Sequence, residues 1–320
     1  RLVAAPTAID RRPVRLLWEQ TGLVRVARHA ADVVHAPHYS WPIAAGRPAV
    51  VTVHDATFFS DPGVHTPLKR AWFRGWTRAA ARSASVLIVP SIATRDAVVR
   101  FTGAPPDRFV VAPHGVARGI FHPPDPDEVA SFQHHHGLEH GWVAFLGTIE
   151  PRKNVGALVR GFAKAVEGLA GEQPALVLAG GAGWDTSVAD VLSSVQGRAR
   201  VIRTGFLPES QLAALLGGAL VVAYPSLGEG FGLPVAEAMA CGAAVLTTRR
   251  LALPEVGGDA VAYCEPDEVS IATALRELLD NPALREKLSR AAVERAASFT
   301  WEVCARVHVR AYERATSASG

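Results

Sequence analysis

Cysteine is scarce in this chain of 320 residues: Cys241, Cys264 and Cys304 are an odd number at unrelated spacings. Neither a disulfide framework nor a zinc ribbon is indicated, and a reducing, cytoplasmic setting is expected. No apolar run approaches the ~20 residues of a membrane-spanning helix, and no signal-type apolar segment opens the chain. A soluble or peripheral protein is expected. No Gly-x-Gly-x-x-Gly follows a candidate strand, which disfavours a nicotinamide dehydrogenase, and no nucleic-acid-binding motif is recognisable, so nucleic acid is not an expected partner. There is no convincing internal repeat or low-complexity tract.

What is present reads as an ordinary globular chain, with 49% hydrophobic and 20% charged residues. At roughly 150 residues per domain the length suggests two domains. Residues 1–122 carry 16 Lys/Arg against 7 Asp/Glu, and the remainder 17 against 23, a net +9 followed by −6. The basic first part suits an anionic partner, although a basic face is often only solvated.

Short β-branched runs alternate with longer segments of helical period, the pattern of βα units around parallel sheets. Strands are predicted at Asp32–His35, Ala49–Val53, Val86–Val89 and Phe109–Val111, then at Trp142–Leu146, Ala175–Ala179, Val201–Thr204, Leu220–Tyr224, Ala244–Thr247 and Ala260–Tyr263. A Pro- and Gly-rich stretch near 118–128 is the expected linker. The predicted domains are 1–122 and 123–300, with 301–320 as a terminal helix. Ligands of open α/β sheets bind beyond the carboxyl ends of the strands.

Three constellations sit at such ends. The first is P-S-L-G-E-G-F-G-L-P-V-A-E-A-M-A-C-G, from Pro225 to Gly242. Gly230 and Gly232 let the backbone approach a ligand, and the N–H groups of Phe231, Gly232 and Leu233 would point out of a helix N-terminus, a setting suited to phosphate. Glu229 and Glu237 would flank it as acceptors for hydroxyls. Read by itself, Glu237 equally suits a helix N-terminus electrostatically and Glu229 a solvated loop. The second is F-L-G-T-I-E-P-R-K-N, where a strand ends at Gly147 and Arg152 and Lys153 follow in the turn. The third is V-V-T-V-H-D, a strand ending in His54 and Asp55. Histidine there can exchange a proton near neutral pH, and Asp55 either orients it or caps the next turn.

The segment E-G-F-G-L-P-x-x-E-A-M-A resembles the retaining, nucleotide-sugar-dependent glycosyltransferases of family 4, whose signature is Glu, seven residues, Glu. The resemblance implies an α/β GT-B fold of two facing Rossmann-like, doubly wound domains with a cleft between them, the last helix crossing back to the first domain. It implies that Glu237 binds the ribose hydroxyls, that Glu229 contacts the transferred sugar, and that the Phe231–Leu233 backbone, Gly147, Arg152 and Lys153 hold the donor's phosphates. His54 would assist at the sugar. The Arg-Lys charge replaces a metal ion, so neither metal nor cofactor is expected; the donor, GDP- or UDP-linked, is a substrate. Some members carry an Arg after the strand glycine where this chain has Thr148, and the interdomain turn has His114 where Asn is usual. Members also begin with one or two strands and a glycine-rich loop that are not recognisable before Asp32. The chain is thus expected to lack that segment or to carry an incomplete first sheet.

The function expected is hexosyl transfer, mannosyl for example, to a glycan or lipid-linked acceptor. A sugar-nucleotide epimerase on the same fold and a non-catalytic nucleotide-sugar-binding subunit remain as alternatives. Two further features stand outside the motif. His134, His135, His136 and His140 read as a solvated surface cluster rather than a metal site, since Gly137 interrupts the helix. Between Pro67 and Arg82, Arg70, Arg74, Arg78 and Arg82 recur every fourth residue, with Trp72 and Trp76 on the other side. That helix suits either an anionic membrane surface or a solvated Arg stripe over a Trp face packed in the core.

Overall fold

A computed structural model of the protein describes residues 5, 7–169 and 171–317. The strands are short; the inner ones are largely apolar and buried on both faces, as parallel strands covered by helices must be, while the edge ones are partly exposed. Those of the first sheet are β1 (Val34–Ala36), β2 (Ala49–Thr52), β3 (Val86–Val89) and β4 (Phe109–Val111), paired in parallel in the order β1-β2-β3-β4. Those of the second are β5 (Trp142–Leu146), β6 (Ala175–Ala179), β7 (Val201–Gly205), β8 (Val221–Tyr224), β9 (Val245–Thr248) and β10 (Ala262–Cys264). All are parallel, in the order β10-β9-β8-β5-β6-β7.

The chain falls into two compact units, one built from the described residues up to Pro113 and from Val303 onward, the other from His114–Glu302. The divisions therefore lie at 113/114 and 302/303 rather than in the Pro-rich stretch near 118–128. That stretch belongs to the second unit: Phe121 is in its core, and just ahead of the stretch Val116 N donates to Phe299 O at 3.1 Å.

In the first unit the period of two along each strand sorts side chains onto two faces. Val51, Leu87 and Val89 join Phe58, Ala80 and Val98 on one face, whereas Val50, Val86 and Ile88 meet Cys304, Ala311 and Ala315 on the other. The terminal helix Trp301–Ser317 thus covers one face of the first sheet from Val303 on. The Tyr312 hydroxyl lies 2.9 Å from His35 Nδ1, tying that helix to β1. Ahead of β1 the described residues form the helices Arg12–Gln20 and Gly22–Ala30.

In the second unit a single core runs from Trp142 through Leu158, Leu176, Leu215 and Val245 to Ile271 and Leu275. The Trp142 indole is buried, and its N–H is satisfied by Leu215 O at 2.8 Å. The topological feature that matters for function is the switch between β5 and β8. From β5 the chain builds β6 and β7 on one side, then crosses to build β8, β9 and β10 on the other. In open α/β sheets such a switch point is where ligands bind, beyond the carboxyl ends of the strands, and here it brings the loops leaving β5 and β8 side by side.

Candidate active site

The two loops at this switch carry the first two constellations. After β5, Gly147 donates its N–H to Ala179 O at 2.9 Å and the chain turns through Thr148–Glu150 into a short helical turn, Pro151–Lys153. After β8 the loop Pro225–Gly232 leads into the helix Leu233–Ala240. Leu227 N donates to Arg152 O at 2.8 Å, which locks the two loops together.

Glu229, Lys153 and Arg152 meet at this point. Glu229 Oε1 accepts from Lys153 Nζ at 2.7 Å, from the Tyr224 hydroxyl at 2.9 Å and from Ser226 Oγ at 2.9 Å, while Arg152 donates to Oε2. Arg152 also donates to Gly228 O at 2.9 Å and to Glu150 Oε1 at 2.7 Å. Lys153 Nζ makes a second contact, to the Tyr224 hydroxyl. Lys153 and Glu229 are only 8% and 7% exposed, so Glu229 is no solvated loop residue. Burial opposes its charge, but Lys153 and Arg152 outweigh that and hold the carboxyl below its ordinary value. Burial lowers the Lys153 ammonium, with Glu229 opposing. Burial and the nearby Glu229 charge raise the Tyr224 phenol well above its ordinary value, so it stays a hydrogen-bond donor.

Glu237 lies one turn into the helix Leu233–Ala240 and has a different environment. Among the described residues no side chain or backbone group hydrogen-bonds or ion-pairs with its carboxylate, and burial pushes its pKa up to about 7. A carboxylate so placed is an unfilled acceptor. The N–H groups of Phe231, Gly232 and Leu233 likewise have no acceptor among the described residues, and Gly232 has a left-handed φ of 101°. A Cβ at Gly232 would also lie 2.8 Å from Leu253 Cδ2, so the loop needs glycine on both counts. A cationic pair, an unpaired carboxylate and open N–H groups at a helix N-terminus therefore share one end of one sheet.

Sequence reasoning did not single out Tyr224, Ser226 or Glu150. The available signal was a phenol ending the otherwise aliphatic strand V-V-A-Y, directly before the P-S-L-G-E motif.

In the first unit His54 follows β2, with Nε2 2.6 Å from Pro37 O and its ring 5.9 Å from that of His38. Asp55 does not turn towards it: Oδ1 accepts from the Thr57 N–H at 2.9 Å and hydroxyl at 2.7 Å, the turn-capping alternative. His114 belongs to the second unit, its ring 5.2 Å from that of Phe231. The histidine run ends the helix Pro126–His136 at Gly137, and His140 pairs with Glu172.

The helix Pro67–Ser83 does not pack its tryptophans as core. Its buried face is Thr77, Ala80 and Ala81 with Phe73 beside them, not the tryptophans. Trp76 is half-buried against Trp41, with ring centroids 5.6 Å apart, while Trp72 and Leu68 are 39% and 82% exposed. Nor is the arginine stripe free: Arg74 Nε donates to Phe58 O at 2.7 Å, and Arg74 and Arg78 lie over the Phe59 ring. No helix among the described residues is long and apolar enough to cross a membrane.

Comparison with known proteins bears on these features. The family described as Glycosyl transferases group 1 matches residues 127–295, and that described as Glycosyltransferase Family 4 matches residues 1–118. O-antigen chain mannosyltransferase B of Escherichia coli is 30% identical over 284 residues, covering 88% of this chain and 74% of that protein. The serotype-specific mannosyltransferase WbdA of E. coli is 30% identical over 229 residues, 70% of this chain but only 27% of that much longer protein. Among solved structures, Anabaena HepE in complex with UDP-glucose superposes with a TM-score of 0.77 at 18% identity, over 91% of this chain and 81% of that one. That likeness concerns the fold.

Proposed function

Since the chain belongs to the glycosyl transferases group 1 family and consists of two parallel-sheet α/β units of GT-B type, it is a glycosyltransferase, and we propose that it transfers a hexose, mannose foremost, from a nucleoside-diphosphate donor to a hydroxyl of a glycan or lipid-linked acceptor with retention of anomeric configuration. The observation that carries this reading is the joint placement of Lys153, Arg152, Glu229, Glu237 and the open Phe231–Leu233 N–H groups at the β5/β8 switch. Diphosphate meets the two cations and the N–H groups, ribose hydroxyls donate to Glu237, and the sugar's hydroxyls donate to Glu229. Mannose is favoured because O-antigen chain mannosyltransferase B and WbdA, each 30% identical to this chain, carry mannosyltransferase names.

In the reaction the bond between the anomeric carbon and the phosphate oxygen breaks, and a bond to the acceptor oxygen forms on the same face. The acceptor's proton passes to the departing phosphate oxygen. Lys153 and Arg152 stabilise the charge that develops there, so catalysis is electrostatic and needs no metal ion. His54 is assigned to assist charge development at the sugar, on the resemblance alone. The exposed Leu68 and Trp72 beside Lys69 suit an anionic membrane surface carrying a lipid-linked acceptor.

The test is incubation with GDP-mannose, GDP-glucose, UDP-glucose and UDP-N-acetylglucosamine, each with and without an acceptor glycan, followed by NMR of the anomeric signal. Acceptor-dependent transfer with an α-linked product from an α-linked donor is expected. Conversion of donor to an epimer without acceptor, or binding without turnover, would overturn the reading.

A further inference from the structure

The cations that would receive a diphosphate are not waiting for one. Arg152 and Lys153 are neutralised by this chain's own Glu150 and Glu229, two positive charges against two negative. Glu229 holds both cations at once, one on each carboxylate oxygen, whereas Glu150 holds Arg152 alone. A diphosphate entering this cluster must share its cations with a buried carboxylate or replace it, and two anions on one pair of cations repel. The cluster also shows what would retain Glu229 after the cations turn away. Tyr224 and Ser226 hydroxyls both donate to Oε1 at 2.9 Å from fixed positions, one ending β8 and the other two residues on. Oε2 has Arg152 as its protein partner and is left an open acceptor once Arg152 leaves it.

We propose that Glu229 is a resident counter-ion, exchanged for the donor's diphosphate on Lys153 and Arg152, and that Tyr224 and Ser226 then act as positioning residues that keep its carboxylate aimed at the sugar. The proposal rests on the reading that a nucleoside diphosphate docks at the β5/β8 switch. It gives that site a property beyond binding: phosphate recognition releases the acceptor that recognises the sugar. A donor with its sugar gains both interactions, whereas the product diphosphate must compete with Glu229 for the cations without compensation. Glu229 therefore favours product departure.

The sign of one mutation separates this from a carboxylate that merely binds sugar. Calorimetry would compare wild type with Glu229→Gln, using GDP, UDP and inorganic pyrophosphate as probes. With the counter-ion removed, the nucleoside diphosphate that binds wild type is expected to bind at least fivefold more tightly, and pyrophosphate to gain by a similar factor, because the exchange involves phosphate and not ribose. Equal or weaker binding in Glu229→Gln, with wild type binding normally, overturns the exchange and leaves the proposed function standing. If wild type binds neither GDP nor UDP, the nucleotide-sugar reading itself falls, and the exchange with it. Glu229→Asp keeps the charge but is one methylene too short to hold both cations. It serves if the Gln variant does not fold: a gain of intermediate size is expected, and no gain overturns the proposal. Tyr224→Phe tests the positioning role: kcat should fall at least tenfold with the diphosphate Kd changed less than twofold, and equal losses in both, or none in kcat, would refute it.

Discussion

The Lys153 ammonium and the Glu229 carboxylate, 76 residues apart in the chain, meet at 2.7 Å across the switch point of the second sheet, in a site that buries both. Truncating Lys153 leaves the buried Glu229 with Arg152 as its remaining cation, and breaking a buried pair costs at most about 3–5 kcal/mol. Lys153→Met is therefore expected to lower the melting temperature and to reduce kcat at least 100-fold. Adding Glu229→Gln should restore much of the melting temperature and none of the turnover. Thermal melts and initial rates on the two variants check this, and a single variant as stable as wild type would contradict it.

Glu237 predicts a trade between stability and binding. Its carboxyl, pushed up to about 7 by burial, binds protons more tightly in the folded chain than at its ordinary value of 4.5. Its contribution is thus fully present below pH 4.5 and is lost as pH rises through about 7, at most about 3 kcal/mol. Glu237→Gln should flatten that part of the stability profile and raise the melting temperature at pH 8, while weakening nucleoside diphosphate binding by about 1–3 kcal/mol. Denaturant titrations at pH 5 and pH 8, with calorimetry at pH 8, test both halves.

Under the proposed function the cationic pair predicts metal-independent transfer. Transfer is expected to persist unchanged in excess EDTA, and a loss restored by magnesium or manganese would contradict the assignment of the leaving-group charge to Lys153 and Arg152.

The turn bearing those cations leans on Gly183. Gly183 has a φ of +62°, and a Cβ there would run into Ile149 O. Gly183→Ala should destabilise the chain by more than about 2 kcal/mol, through backbone strain and displacement of the Ile149–Glu150 backbone. The check is the denaturation midpoint, with Gly168→Ala as comparison: it has a similar φ of +71° and open space around it, so it isolates the conformational part of the cost.

Membrane docking is tested with Leu68→Ser/Trp72→Ser. Replacing Arg74 would confound the result, because that side chain holds Phe58 O in place. Wild type should sediment with phosphatidylglycerol vesicles at low salt and dissociate as salt is added, and the double variant should remain in the supernatant. Equal partitioning of both would remove this helix from the membrane reading.

The strands were the most legible elements. Val86–Val89, Phe109–Val111, Trp142–Leu146 and Ala175–Ala179 lie where the apolar runs predict them, and the inner three, Val86–Val89, Trp142–Leu146 and Ala175–Ala179, are apolar throughout because a strand buried on both faces must be. β10 begins at Ala262 rather than Ala260, where Asp259 and Ala260 still belong to the preceding turn. The motif residues of the second unit do converge, but which group each would meet was not readable. Tyr224 is a core residue by its ring, stacked 5.8 Å from Phe145, and a site residue by its hydroxyl. Arg74 was read as part of a surface stripe because helical spacing is local, whereas its partner, Phe58 O, belongs to a different helix. The division at Pro113 was missed for a related reason: proline and glycine mark where regular structure stops, not which core a loop joins.

The terminal helix gives the fold a temporal asymmetry. Cys304, Ala311 and Ala315 cover a face of the first sheet, so the unit begun before the second is completed by residues that follow the second. The second unit is one continuous stretch, His114–Glu302, and has every strand it needs once that stretch has emerged. Domains fold as units during synthesis. The first unit is begun before the second and completed after it: until the helix Trp301–Ser317 docks, the first sheet keeps Val50, Val86 and Ile88 uncovered.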